Sequence, residues 1–177
     1  MDEWLSRMRH ALQSFLPVEN LFDVRQQRQM RHIADVVRKE RLFALVSGNT
    51  GIGKTTALRD IFSRMPDTFY LQIADDCSWK SLLQQLTKAC GIAVSSPSAE
   101  GLLRTLSDCL SQRAHRQPLL MIDGAEVLSL KTFSRLKALT VSTEGAVGIL
   151  ITAHVSLKKR MEKVLHSAAE ESMYMTF

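Results

Sequence analysis

Apolar residues along this chain fall into two rhythms that alternate from about residue 24 to the end. One is a short, largely apolar run, found at 42–47, 68–73, 118–122 and 146–152, which reads as a buried strand. The other is a stripe at helical spacing: Met30, Ile33, Ala34 and Val37; Ala57, Leu58, Ile61 and Phe62; Leu82, Leu83, Leu86 and Cys90; Leu102, Leu103, Leu106 and Leu110. The predicted helices span 24–39, 55–65, 99–112, 128–141 and 156–170, with a further one capped by Ser78 and closed by Gly91. Residues 173–177 are just long enough for a fifth strand. This alternation predicts an α/β domain in which helices flank a five-stranded parallel sheet. Upstream, Trp4, Leu5, Met8, Leu12 and Phe15 share one face of a predicted helix over 2–16 that Pro17 ends. Its apolar stripe packs on the chain's own core or docks a partner. Two regions follow: 1–22, a helix and connector, and 23–177, the α/β domain.

The turn after the first strand changes the picture from fold to chemistry. Gly48-Asn49-Thr50-Gly51-Ile52-Gly53-Lys54-Thr55 reads G-x-x-x-x-G-K-[ST], the phosphate-cradling loop of nucleoside-triphosphatases. Glycines let the backbone curl so that successive N–H groups point at a phosphate chain. Lys54 supplies a point charge for the terminal phosphates, the Thr55 hydroxyl ligates Mg²⁺, and Thr56 completes the expected nucleotide-binding set of residues 48–56. The helix that starts here adds its free N–H groups. A strand before the loop and an apolar-striped helix after it are the context the motif demands. The expected ligands are ATP or GTP with Mg²⁺.

A second anchor lies at Leu119-Leu120-Met121-Ile122-Asp123, four apolar residues and then a carboxylate at the strand's C-terminal edge. Ligands of open α/β sheets bind beyond those edges. Asp123 is therefore expected beside Thr55, holding the metal's water shell.

Bulk composition narrows the setting. Apolar content of 45% and charged content of 23% are those of an ordinary globular protein, and no apolar run is long enough to span a membrane. The N-terminus begins Met1-Asp2-Glu3-Trp4, acidic where a secretory signal is basic. Cys77, Cys90 and Cys109 are odd in number and lack metal-ligand spacing, so they read as thiols of a reducing, cytoplasmic compartment. A net charge of +5 admits a polyanionic partner, and Arg25, Arg28, Arg31 and Arg38 on one helix face suit phosphate contacts or simple solvation.

The order of elements, the phosphate loop, the stretch Leu119–Glu126 and the segment Ile149-Leu150-Ile151-Thr152-Ala153-His154 together resemble the AAA+ ATPases. The likeness is nearest to transposition helper ATPases of the phage Mu B and TnsC type and to the ExeA-like group, and it covers about residues 22–177. It implies an ATP- and Mg²⁺-binding ATPase that assembles with copies of itself into a ring or filament. It further implies engagement of double-stranded DNA and signalling to a transposase or similar partner. By the same likeness His154 takes the sensor position between Asp123 and the γ-phosphate, with Thr152 as its rival and a helix-capping role as the alternative. Arg135 or Arg160 is the candidate to complete a neighbouring subunit's site, and Lys80, Lys88 and Arg104 are candidates for DNA.

Two departures from the family stand out. The Glu that usually follows the Asp is replaced by Gly124, leaving Glu126 as the nearest candidate base to act with Lys54. The family also continues into a helical lid, whereas this sequence stops at Phe177, as a minimal member or a fragment would. Both imply slow hydrolysis and nucleotide used as a switch, or a regulatory module that holds ATP without hydrolysing it. No N-K-x-D motif of GTPases and no L-S-G-G-Q signature of ABC transporters occurs.

Overall fold

The computed structural model describes residues 25–73, 78–93, 98–165 and 174–176. The predicted helix over 2–16 and Cys77 lie outside them. Among the described residues, six helices and five strands follow in chain order: α1 (Arg25–Lys39), β1 (Phe43–Ser47), α2 (Lys54–Arg64), β2 (Thr68–Gln72), α3 (Trp79–Ala89), α4 (Ala99–Gln112), β3 (Leu119–Asp123), α5 (Leu130–Ser142), β4 (Gly148–Ala153), α6 (Val155–Leu165) and β5 (Tyr174–Thr176). Single 3₁₀ turns at Ala114–Arg116 and Ala125–Val127 flank β3.

Serine caps set three of the helix starts. The side chains of Ser78, Ser98 and Ser129 accept from the backbone N–H groups of Ser81, Gly101 and Thr132, satisfying donors that the first helical turn leaves open. The Ser129 cap starts α5 two residues later than the apolar pattern predicts, because the chain first makes the 3₁₀ turn at Ala125–Val127.

All five strands are parallel, in the order β2-β3-β4-β1-β5. Side chains of one sheet face pack with α1 and α2 around Ala44, Val46, Leu58, Phe62, Met121 and Leu150. The opposite face packs against α3–α6 around Leu45, Leu86, Leu106, Leu120, Ile122 and Ile151. Burial on both faces explains why these strands read as continuous apolar runs rather than alternating ones.

Inserting β4 between β1 and β3 has a direct consequence for the site. Val46 pairs with Thr152, and Gln72 pairs with Asp123, so these residues form one row across the sheet near its C-terminal edge. Period-two alternation places Thr152 and Asp123 on the α1–α2 face, where the phosphate loop enters α2.

The arginine face of α1 is partly internal. Arg38 donates to the carbonyls of Gln117 (2.8 Å) and Arg116 (3.0 Å), holding the turn before β3. Arg31 lies 3.4 Å from the buried carboxylate of Asp60 on α2, which also accepts from Arg64 at 2.6 Å. Two of the four arginines thus join parts of the domain to each other.

Candidate nucleotide-binding site

The phosphate loop runs from the end of β1 to the start of α2. Gly48 is buried and its N–H donates to the carbonyl of Ala153 at 3.1 Å, which ties the loop's first residue to the end of β4. Asn49, Thr50 and Gly51 are exposed, and Ile52, Gly53, Lys54, Thr55 and Thr56 are half-buried. Gly51 and Gly53 have φ of +85° and +92°, backbone that L side chains rarely adopt. No side chain caps α2, whose cap residue is Gly53. The helix therefore presents its first N–H groups at the loop, the arrangement that binds phosphate.

Lys54 has three ammonium donors, and two of them go to the loop's own carbonyls, Gly48 and Asn49, each at 2.8 Å. These two bonds hold the ammonium against the loop backbone. One further donor remains to meet an anion there.

Asp123 is 3% exposed and sits at the centre of a small polar cluster inside an otherwise apolar sheet. Its Oδ2 accepts from the Thr55 hydroxyl at 2.6 Å and from the Tyr70 phenol at 3.3 Å; its Oδ1 accepts from the Thr152 hydroxyl at 2.5 Å. A buried carboxylate is costly unless hydrogen-bonded, and here three hydroxyls from α2, β2 and β4 meet it. Burial, and after it the Asp123 charge, push the Tyr70 phenol up to about 12, so at neutral pH it remains a donor.

These residues fit a magnesium–triphosphate. Thr55 would supply one oxygen to the metal and Asp123 would hold its water shell, the remaining ligands coming from phosphate and water. Among the described residues no cluster of three or more His, Cys, Asp or Glu side chains could hold a metal by itself.

The other candidates lie differently. Glu126 Oε2 accepts the backbone N–H of His154 at 3.0 Å, bridging the turn after β3 to the start of α6. His154 turns its Nδ1 to Ser156, accepting that residue's N–H at 3.3 Å and lying 3.1 Å from its hydroxyl. This is the helix-capping alternative. The polar side chain against Asp123 on β4 is Thr152.

Arg160 reaches back from α6 and donates to the carbonyls of Glu126 and Leu128, both at 2.7 Å. Arg135 lies over the Trp79 ring, 5.9 Å from its centroid, beside a 370 Å³ groove between α3, α4 and α5. Both arginines are therefore engaged within their own chain. Lys80, Lys88 and Arg104 are exposed, but they do not gather at one edge. Lys80 is near the start of α3, whereas Lys88 lies two residues before Cys90, whose carbonyl accepts from Arg113 ahead of β3, at the strands' N-terminal end.

Gly124 explains the missing glutamate. Its φ is +78°, and a Cβ there would lie 2.5 Å from the Ile73 carbonyl oxygen. The Ile73 N–H in turn donates to the Asp123 carbonyl at 2.8 Å, so both backbones are fixed. Any side chain directly after Asp123 is excluded by the path the chain takes.

Sequence reasoning missed Tyr70 altogether. Its only signal along the chain is a polar-tipped aromatic in the second predicted strand, and it is the pairing of β2 with β3 that brings it to Asp123.

A parallel sheet in this order, with a phosphate loop after its first strand and a hydroxyl–carboxylate pair across the gap, defines a P-loop nucleotide-binding domain. Residues 37–161 match the family described as AAA domain, more than half of the chain, and the chain belongs to that family. No curated protein sequence matches it. Among solved structures, the Walker-type ATPase paby2304 of Pyrococcus abyssi is similar at a TM-score of 0.57 and 15% identity, over 89% of this chain and 54% of that one. Drosophila ORC bound to AT-rich DNA and Cdc6 matches at 0.52 and 8% identity, over 99% of this chain and 56% of that one. Drosophila ORC bound to poly(dA/dT) DNA and Cdc6 matches at 0.56 and 14% identity, over 99% of this chain and 30% of that one. These identities show a shared fold, and the chain spans little more than half the length of the first two.

Proposed function

We propose that this chain is an ATP-binding AAA+ switch domain that hydrolyses slowly and changes its association with copies of itself and with double-stranded DNA when Mg·ATP is bound. One observation carries the nucleotide part: Thr55 of α2 and Thr152 of β4 each donate a hydrogen bond to Asp123 of β3, directly beside the phosphate loop. In this reading Lys54 and the loop N–H groups of residues 48–56 hold the triphosphate. Thr55 and Asp123 flank the metal, and Thr152, rather than His154, connects Asp123 to the neighbouring strand. Slow turnover follows from Gly124 and from Glu126 being tied to the His154 N–H. Glu126 must leave that bond before it can orient a water.

The DNA part is supported by the +5 net charge and by the fold shared with ORC structures solved on DNA. A transposition role, with a transposase as partner, rests on the resemblance of the motifs alone. Co-sedimentation with duplex DNA at low salt, with and without Mg·ATP, tests the assembly. Retention that depends on ATP and falls steeply with salt is expected; equal sedimentation in both arms would remove the DNA-helper reading.

The tie on Glu126 also favours a second reading, a module that holds ATP without hydrolysing it. Phosphate release decides between them. Turnover above background that is lost in both Lys54→Ala and Glu126→Gln marks an enzyme; background release throughout marks the module.

A further inference from the structure

Three hydroxyls hold Asp123, yet only two belong to the recognised phosphate-loop machinery or its neighbouring strand. The third comes from Tyr70 on β2, an edge strand of the sheet. We propose that Tyr70 is a positioning residue for the metal-side carboxylate: its phenol fixes the direction in which Asp123 Oδ2 faces and so sets how strongly Mg²⁺ tightens nucleotide binding. The inference rests on reading the site as a Mg·ATP site.

A carboxylate turns about its Cβ–Cγ bond unless both oxygens are restrained. Thr152 restrains Oδ1 from β4 at 2.5 Å, while Thr55 and Tyr70 approach Oδ2 at 2.6 and 3.3 Å from α2 and β2. Thr55 is the residue whose oxygen is asked to serve the metal, so its hold on Oδ2 is the one that metal binding disturbs. Tyr70 comes from a different element, β2, and its hold on Oδ2 does not depend on the Thr55 hydroxyl.

The phenol has a single proton and two acceptors within reach, Asp123 Oδ2 at 3.3 Å and Gln72 Oε1 at 3.5 Å. Gln72 Oε1 already accepts from Arg59 at 3.0 Å, and the charged carboxylate is the nearer and stronger acceptor. The proton therefore goes to Asp123. Packing holds the ring in place independently, since Phe62 lies against it with centroids 6.0 Å apart. Tyr70→Phe removes the oxygen and leaves the ring.

The test measures the Kd of a fluorescent ATP analogue in EDTA and in excess Mg²⁺, for the wild-type chain and for Tyr70→Phe. The ratio of the two constants is the Mg²⁺ coupling. Losing a bond to a charged group at this length is expected to cut that ratio about three- to tenfold, with the change in the Mg²⁺ arm. An unchanged ratio overturns the inference. A second measurement needs no nucleotide: Tm values of Tyr70→Phe, Asp123→Ala and the double variant. If Tyr70 holds Asp123, the double variant loses less than the sum of the two single losses; losses that simply add overturn the hold on Asp123. Absence of nucleotide binding in every arm would instead overturn the ATP reading, and with it the metal role, while the Tm cycle still reports on the contact itself.

Discussion

Gly124 occupies the position where the resembling family carries its catalytic glutamate, and the structure gives a steric reason that can be put in numbers. Two costs arise in Gly124→Ala. An L residue at φ +78° costs about 1–2 kcal/mol relative to glycine. The new Cβ would also stand 2.5 Å from the Ile73 carbonyl oxygen, a backbone atom that no rotamer change can move aside. Overpacking of that kind costs about 1–3 kcal/mol. Together they come to about 2–5 kcal/mol, or a Tm lower by about 5–15 °C for a domain of this size. Gly145 is an internal control: its φ is +68° but a Cβ there meets nothing within 4 Å. Gly145→Ala should therefore show the backbone cost alone, about 1–2 kcal/mol. Differential scanning fluorimetry of both variants separates the terms. A Gly124→Ala variant that loses no more than Gly145→Ala would refute the steric account. Gly124→Glu follows the same logic: it should destabilise the fold and leave ATP turnover no higher than in the wild type.

Further outcomes follow from other contacts. Arg160→Ala removes two hydrogen bonds to the carbonyls of Glu126 and Leu128 and should lower urea stability by about 1–2 kcal/mol. Asp60→Ala leaves Arg31 and Arg64 facing a buried gap between α1 and α2; both arginines are partly exposed, so the loss should be about 1–3 kcal/mol in chemical denaturation.

Alkaline pH should also destabilise the fold. Burial pushes the Cys90 thiol up, and burial with the Asp123 charge pushes the Tyr70 phenol up from 10.0 to about 12. Above pH 9 the unfolded chain loses protons that the folded chain keeps, so stability falls as pH rises, by at most about 1.4 kcal/mol per pH unit per group. Cys90→Ala should flatten the slope of unfolding free energy between pH 9 and 10; an unchanged slope would contradict the assignment.

Much of the fold is legible along the chain for a specific reason. Strands buried on both faces leave unbroken apolar runs, and helices packed on one side leave stripes, so Leu119–Asp123 and the Met30–Val37 stripe announce themselves. Serine caps fix helix starts locally, and Ser78 was readable as one. The phosphate loop is legible because glycine at positive φ is a chemical requirement. What the linear pattern hides is which strands are neighbours. Thr152 and Tyr70 reach Asp123 only because β4 lies on one side of β3 and β2 on the other. Glu126 is the nearest carboxylate after Asp123 along the chain and His154 takes the sensor position by resemblance, yet the 3₁₀ turn at Ala125–Val127 aims Glu126 at a backbone N–H, and the start of α6 takes up His154. Arg31, Arg38 and Arg160 looked like solvent or ligand contacts, and they prove to be internal ties whose acceptors are far away in sequence.

The central claim is that a triphosphate with its metal sits on the turn from Gly48 to Thr55. Isothermal titration of Mg·ATP into the wild-type chain and into Lys54→Ala tests it most directly. The wild type should bind one nucleotide per chain, and loss of the ammonium over the loop should weaken binding by at least about tenfold. Equal heats in the two proteins, or none in the wild type, would contradict it.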